Sequence, residues 1–218
     1  MKIRNKISLG FLAIFIVVLI LIGVSFDLYS SANTKKDAYA YLTSSNRARA
    51  EHIRTFIKEK EKTAVILAAA SVYRDLLKEP VGSPNYKIIK GKIDKRLVRT
   101  LESDPDIHQV LILDKKGLII AASDKTEEGA DKSQDDYFIN GQKGVYFKSI
   151  YYSGTVKSLV YAISAPVLDD SGAFLGLSVL RFSSDDFYSV VASENGLGST
   201  EENFLINQDR FFITPSRF

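Results

Sequence analysis

Four tyrosines, Tyr137, Tyr151, Tyr152 and Tyr161, fall where short β-branched and aromatic runs replace helical periodicity. Each joins an apolar ring to a polar tip, the combination that small-molecule pockets use. Tyr137 lies in a long inter-strand connection and the others on two successive predicted strands, so a common pocket is within reach. Successive strand residues point to opposite faces, so only one of Tyr151 and Tyr152 faces inward. Lys148 and Ser149 share their strand and can add a charge or a hydrogen bond. The plainer reading is that strand tyrosines pack the sheet and that Lys148 is solvated.

Catalysis has little to work with. His52 and His108 stand apart, with no nucleophile motif, phosphate-binding glycine loop or metal-ligand spacing near either. The absence of cysteine excludes disulfides, thiolate metal sites and a thiol nucleophile. Asp124, Thr126, Glu128, Gly129 and Asp135 have a faint calcium-loop spacing. They lack the flanking helices and the closing Glu, so a solvated acidic loop is the expectation. No catalytic residue, metal or cofactor is expected, and the chain is not expected to be an enzyme. The 29 basic and 26 acidic residues are mixed along the chain, giving a net charge of +3. Without a basic stripe, nucleic acid is not an expected partner.

The tyrosines need a sheet to hold them. After Pro105 the runs Gln109–Leu113, Leu118–Ser123, Gly144–Tyr152, Ser158–Val167 and Ala173–Phe182 predict five strands. Asp and Gly at Asp114–Gly117 and Asp169–Gly172 make hairpin turns, so the sheet is antiparallel and the class is α+β. The connection Asp124–Gln142 interrupts the strand order, as binding loops often do. Ahead of the sheet, residues 33–78 contain no Pro or Gly and read as one long stalk helix, with two shorter helices broken near Ser44–Asn46 as the alternative. Pro80 to Pro84 ends it, and Tyr86–Leu101 resumes an amphipathic helix. Ser183–Ser193 predicts a further helix with acidic residues in its first turn.

Ile7 to Phe26 is an uncharged apolar run of about 20 residues, the length that crosses a hydrocarbon core. Lys2, Arg4 and Lys6 precede it and Asp27 follows, which places residues 1–6 in the cytoplasm and everything after residue 27 outside, anchored in the cell membrane. A cleaved signal peptide is the alternative, although the run is long for one. Near the other end, Leu111–Ser123 (LILDKKGLIIAAS) and Phe204–Ser216 (FLINQDRFFITPS) align without a gap: three apolar residues, a polar turn, three apolar residues. A second copy of the domain starting at 183–218 and left incomplete is the expectation, with the natural protein continuing beyond Phe218.

The order of spanning helix, long helix, five-stranded antiparallel sheet with a loop insertion and repeated start resembles the double Cache family of PAS-like extracytoplasmic sensors, found in chemoreceptors and sensor histidine kinases. The likeness is carried by Tyr137-Phe138, by Tyr161 to Val167 (YAISAPV) running into Asp169-Asp170-Ser171-Gly172, and by Gly196-Leu197-Gly198 before Asn203 to Asn207. The resemblance implies a membrane-distal sensor module at 79–182 and a membrane-proximal one beginning at 183. It also implies a ligand in the distal module. In the amino-acid-binding branch an Arg two residues before the loop aromatic holds the ligand carboxylate and a strand Asp holds the amine. This chain has Asp135 and Arg181 at those places. Reversed charges argue against an α-amino acid; a zwitterion held the other way round, or a plain Asp135–Arg181 salt bridge, accounts for the pair.

The sequence thus points to the input segment of a transmembrane receptor, binding a small extracellular solute through Tyr137, Tyr151, Tyr161, Asp135, Arg181 and Ser149. A homodimer through the stalk helix and a second span beyond the C-terminus are expected. The alternative is an anchored protein-interaction module without a small ligand.

Overall fold

A computed structural model of the protein describes residues 3–192, 204–206, 210 and 212–214. The chain divides into two units, Met1–Ala50 and Glu51–Phe218. The first is helical throughout its described part. Its apolar side chains from Phe11 to Phe26 are exposed, in a helix long and apolar enough to cross a membrane.

The second unit is built on one antiparallel sheet. Its strands are β1 (Ile107–Asp114), β2 (Ile119–Ala122), β3 (Tyr146–Ser153), β4 (Ser158–Leu168) and β5 (Phe174–Ser183), in the spatial order β2-β1-β5-β4-β3. All pairings are antiparallel, so the α+β expectation holds, and the five predicted runs match the strands to within a few residues. The helices are α1 (Ile3–Ala68), which starts in the first unit, α2 (Ser71–Lys78), α3 (Pro84–Ser103), α4 (Asp136–Gly141) and α5 (Ser184–Ala192). Ser83 caps α3 by accepting from the Tyr86 N–H at 2.9 Å, with Pro84 at the first helical position, where its missing N–H costs nothing.

The helix expected over residues 33–78 is interrupted. It ends at Ala68, and the extended Ala70 separates it from α2. Alanine favours a continuous helix here, and packing overrides it: the break turns Tyr73 and Leu76 of α2 fully into the core. The alternative break near Ser44–Asn46 does not occur, since α1 runs through it.

Strand alternation sorts the side chains onto two faces. Val110, Ile112, Tyr161, Ile163, Ala165, Val167, Leu180 and Phe182 join Ala64 and Ala68 of α1, Ile93 and Leu97 of α3 and Phe187 of α5 in one core. Leu111, Leu113, Ala162, Leu177 and Val179 face the other way, where Tyr137 and Phe138 of α4 cover them. The strands β1, β4 and β5 are thus buried on both faces and read as near-continuous apolar runs, whereas the edge strand β3 is only half-buried.

The long connection is anchored at both ends. Leu118 and Asp131 form an isolated bridge, and Glu128 accepts from Lys90 of α3 at 2.6 Å and from the Ala122 N–H at 3.1 Å. Gly141 closes α4 against the sheet, and a Cβ there would collide with Ser164 Oγ and stand 2.8 Å from Leu177 Cδ1. Gly141→Ala is therefore expected to cost about 1–3 kcal/mol by overpacking. Urea unfolding followed by tyrosine near-ultraviolet circular dichroism measures it; an unchanged midpoint would show that α4 is not held this closely.

Candidate ligand-binding cleft

Residues paired across an antiparallel ladder point to the same face. Gln109 of β1 pairs with Arg181 of β5, Arg181 with Ala162 of β4, and Ala162 with Lys148 of β3. This row puts one amide and two cations on the α4 face, with the small Ala162 between Arg181 and Lys148. Tyr137 belongs to the same buried cluster as that alanine. Its hydroxyl lies 3.5 Å from Arg181 Nη2, and Lys148 Nζ stands 5.3 Å from its ring centre. A cleft of about 370 Å³ opens there, lined by Asp135, Tyr137, Lys148, Tyr151, Thr155 and Arg181 together with Lys132 and the residues from Tyr152 to Gly154. That is a size suited to a small solute.

Tyr151 reaches the cleft through an irregularity. The β3–β4 register shifts between Lys148 and Tyr151. Strict alternation from Tyr151 would bring Ser149 to the same face. The shift brings Lys148 instead and sends Phe147 and Ile150 to the opposite core. Lys148 Nζ then stands 4.5 Å from the Tyr151 ring centre. Ser149 is exposed and does not line the cleft, a correction to its expected role. Tyr152 is 64% exposed at the rim.

Tyr161 is also corrected. Its odd-numbered place in β4 turns it to the helical core, where it stacks on Phe182 with ring centres 5.0 Å apart and donates to Asp186 Oδ2 at 2.8 Å.

Arg181 is buried, and its partner is Glu127, not Asp135. Nη1 donates to Glu127 Oε1 at 2.7 Å and to Gln109 Oε1 at 2.5 Å, with Thr155 Oγ1 at 3.2 Å; Gln109 Nε2 also donates to Glu127 Oε1, at 3.1 Å. Asp135 lies 3.5 Å from Lys148 Nζ and does not cap α4 through its side chain. Burial pushes the Glu127 carboxyl up, but Thr155, Arg181 and Gln109 outweigh it and hold the group below its ordinary value. Burial likewise works against the Arg181 charge, but the Glu127 carboxylate paired with it favours that charge, and the guanidinium stays protonated. Burial raises both Tyr137 and Tyr151, which stay neutral phenols. Arg181 Nε, Glu127 Oε2 and the Tyr151 hydroxyl are buried without hydrogen-bond partners. Each unpaired group costs the fold about 1–3 kcal/mol. Such groups are few in native structures, and each calls for an account such as a bound water, an ion or a functional role.

Sequence reasoning missed Glu127 and Gln109. Gln109 is a lone long polar residue inside an apolar strand, which was a usable signal. Glu127 sits in a polar loop 54 positions from Arg181, and nothing local marks it. The carboxylates of the faint calcium pattern serve other ends: Asp124 accepts from the Thr126 N–H, Glu128 meets Lys90 and Lys125, and Asp135 meets Lys148.

A five-stranded antiparallel sheet in this order, with a long helix on one face and a short helix over a polar cleft on the other, is a PAS-like fold. Solved structures share it at low identity. The Vibrio cholerae histidine kinase DctB sensor domain superposes with a TM-score of 0.57 at 16% identity, over 70% of this chain and 60% of that one. The ligand-binding domain of the Pseudomonas aeruginosa amino acid chemoreceptor PctC, in complex with GABA, gives 0.58 at 14% identity over 82% and 76%. That of the Pseudomonas fluorescens chemoreceptor CtaA, in complex with L-serine, gives 0.58 at 14% over 83% and 73%. The chain thus spans less than two thirds of the DctB structure. No family model and no curated protein sequence matches it.

Proposed function

We propose that this chain is the extracytoplasmic input segment of a transmembrane receptor, binding a small solute in the cleft under α4. The observation that carries this reading is the buried Arg181–Glu127–Gln109 cluster with unpartnered polar atoms beside an open cleft. The fold supports it, because the neighbours above are sensor or ligand-binding domains. In this reading residues 7–26 span the cell membrane, residues 1–6 are cytoplasmic, and residues after 27 lie outside. The output lies in another domain, and two copies meet through the α1 stalk. A ligand shifts such a receptor only by binding its two states unequally, typically by about 1–3 kcal/mol.

The repeat supports a second PAS-like module beginning near residue 183. Ile206 bridges Phe212 antiparallel, and Leu113 pairs with Ile119 in the β1–β2 hairpin. These are the same positions in the ungapped alignment of the two segments. Phe204 and Phe212 are exposed, an apolar face that further strands of such a module would cover. The Gly196–Gly198 stretch lies outside the described residues.

The test is a thermal-shift screen of the full chain in detergent against amino acids, carboxylates, amines, purines and calcium. Bound at 100 times its Kd, a ligand adds about 2.7 kcal/mol, a rise of several degrees. That rise is expected to disappear with Tyr137→Ala. A folded, monodisperse chain that no compound shifts would favour an anchored interaction module. One observation supports that alternative: an apolar groove of about 350 Å³ lined by Val65, Ala68, Val145, Pro166 and Leu168.

A further inference from the structure

The polar groups of the cleft are unequally spent. Arg181 Nη1 is occupied by Glu127, Gln109 and Thr155. Among the described residues its Nε has no hydrogen-bond partner, and Nη2 lies 3.5 Å from the Tyr137 hydroxyl. Nε and Nη2 form the side-on edge of the guanidinium, the fork that matches a carboxylate in two parallel hydrogen bonds. The Tyr151 hydroxyl lies against Arg181, which can donate to its oxygen, and its own proton is a further unused donor. Lys148 is held only loosely, 3.5 Å from Asp135 and 3.9 Å from Asp136, and Lys132 adds another cation to the lining. Against these donors the lining offers one carboxylate, Asp135, already beside Lys148. Glu127 neutralises Arg181 from behind and is not part of the lining.

An ammonium group entering here would meet two or three cations and would have only Asp135 to receive it, in competition with Lys148. A carboxylate would meet Lys148 and, just beneath the cleft lining, the unpartnered edge of Arg181 and the Tyr151 hydroxyl. Like charges brought together in a poorly solvated site repel strongly, so the same lining that admits an anion discriminates against a cation.

Resting on the reading of this cleft as a sensor site, we propose that its ligand is a small organic carboxylate without an ammonium group, seated between Arg181 and Lys148. Arg181 fixes the carboxylate plane, Lys148 supplies charge, and Tyr151 donates a hydrogen bond.

Isothermal titration of the full chain in detergent with four-carbon probes tests this: butyrate, succinate, 4-aminobutyrate, 1,4-diaminobutane and succinamide. Butyrate or succinate is expected to bind saturably and at least about 10-fold more tightly than the other three, the discrimination one charge-assisted contact gives. Lys148→Met and Tyr151→Phe are each expected to weaken that binding about 5-fold or more, with the fold unchanged by circular dichroism. Both avoid the buried ion pair, so neither depends on Arg181 tolerating replacement. Tighter binding of diaminobutane, 4-aminobutyrate or succinamide, lost in Tyr137→Ala, would overturn the carboxylate assignment and leave the sensor site standing. Silence from all five probes would also overturn it, and the wider thermal-shift screen then decides whether the cleft binds any solute. Carboxylate binding that Lys148→Met and Tyr151→Phe leave untouched would place the anion elsewhere and overturn the proposal too.

Discussion

Glu127→Ala is expected to destabilise the sheet domain by about 3–5 kcal/mol, because it leaves the Arg181 guanidinium buried without its counter-charge. Both partners are almost wholly inaccessible, at 2% and 3% exposed, so water makes up poorly for the lost carboxylate. The urea midpoint of the full chain reads this loss, and a drop below about 1 kcal/mol would mean that the guanidinium finds another partner. The pair also has a pH signature. The folded Glu127 carboxyl lies below its ordinary value, so its contribution is present above that value and fades as pH falls through the lowered one. Glu127→Gln should flatten that acid limb. The double replacement Glu127→Leu with Arg181→Met separates stability from function. Burying two apolar side chains in place of an ion pair is often neutral or stabilising, so this variant should regain most of the lost stability. It should not regain carboxylate binding, since the open edge of Arg181 has gone. A pair kept only for stability would show no such division.

The same pair shows how far the sequence could be read. The five strands, their hairpin turns and α3 were legible because each is a local pattern: alternation, Asp-Gly chemistry, an amphipathic run after the prolines. Tyr137 and Arg181, which line one cleft, were legible as neighbours because the family resemblance brought the loop and the strand end together. Three things were not local. The Arg181 partner depends on which loop residue the chain folds back onto it, a contact spanning 54 positions. The face of Ser149 depends on a register shift that adds one residue to β3 and has no Gly or Pro to mark it. The break after Ala68 runs against the helix propensity of three consecutive alanines, and only the burial of Tyr73 and Leu76 explains it. Charge type was readable, whereas pairing and side were decided by tertiary packing.

Tyr161→Ala is expected to cost about 3–5 kcal/mol, the range for deleting a fully buried aromatic ring. The loss should be large because five rings meet there: Phe56 of α1, Phe147 of β3, Tyr161 of β4, Phe182 of β5 and Phe187 of α5, with centres 5.0–6.4 Å apart. Lys60 of α1 lies 4.9 Å from the Phe182 ring centre and 2.9 Å from Asp106, so the same cluster fastens the helix to the sheet. Tyr161→Phe isolates the hydroxyl and should cost about 1–2 kcal/mol by taking the donor from Asp186. Burial has already raised the Asp186 carboxyl above its ordinary value, despite Tyr161 and Lys60. A raised folded pKa favours the fold below the ordinary carboxylate range, and that contribution is lost as pH rises through the raised value. Its sign is opposite to that of Glu127, so Asp186→Asn should flatten the upper limb of the stability profile while Glu127→Gln flattens the lower. Because Tyr161 faces the helices and not the cleft, Tyr161→Phe should leave solute affinity unchanged while Tyr137→Ala removes it. Equal losses of affinity in the two variants would mean that the aromatic cluster, and with it the seat of α1 on the sheet, is coupled to occupancy of the cleft.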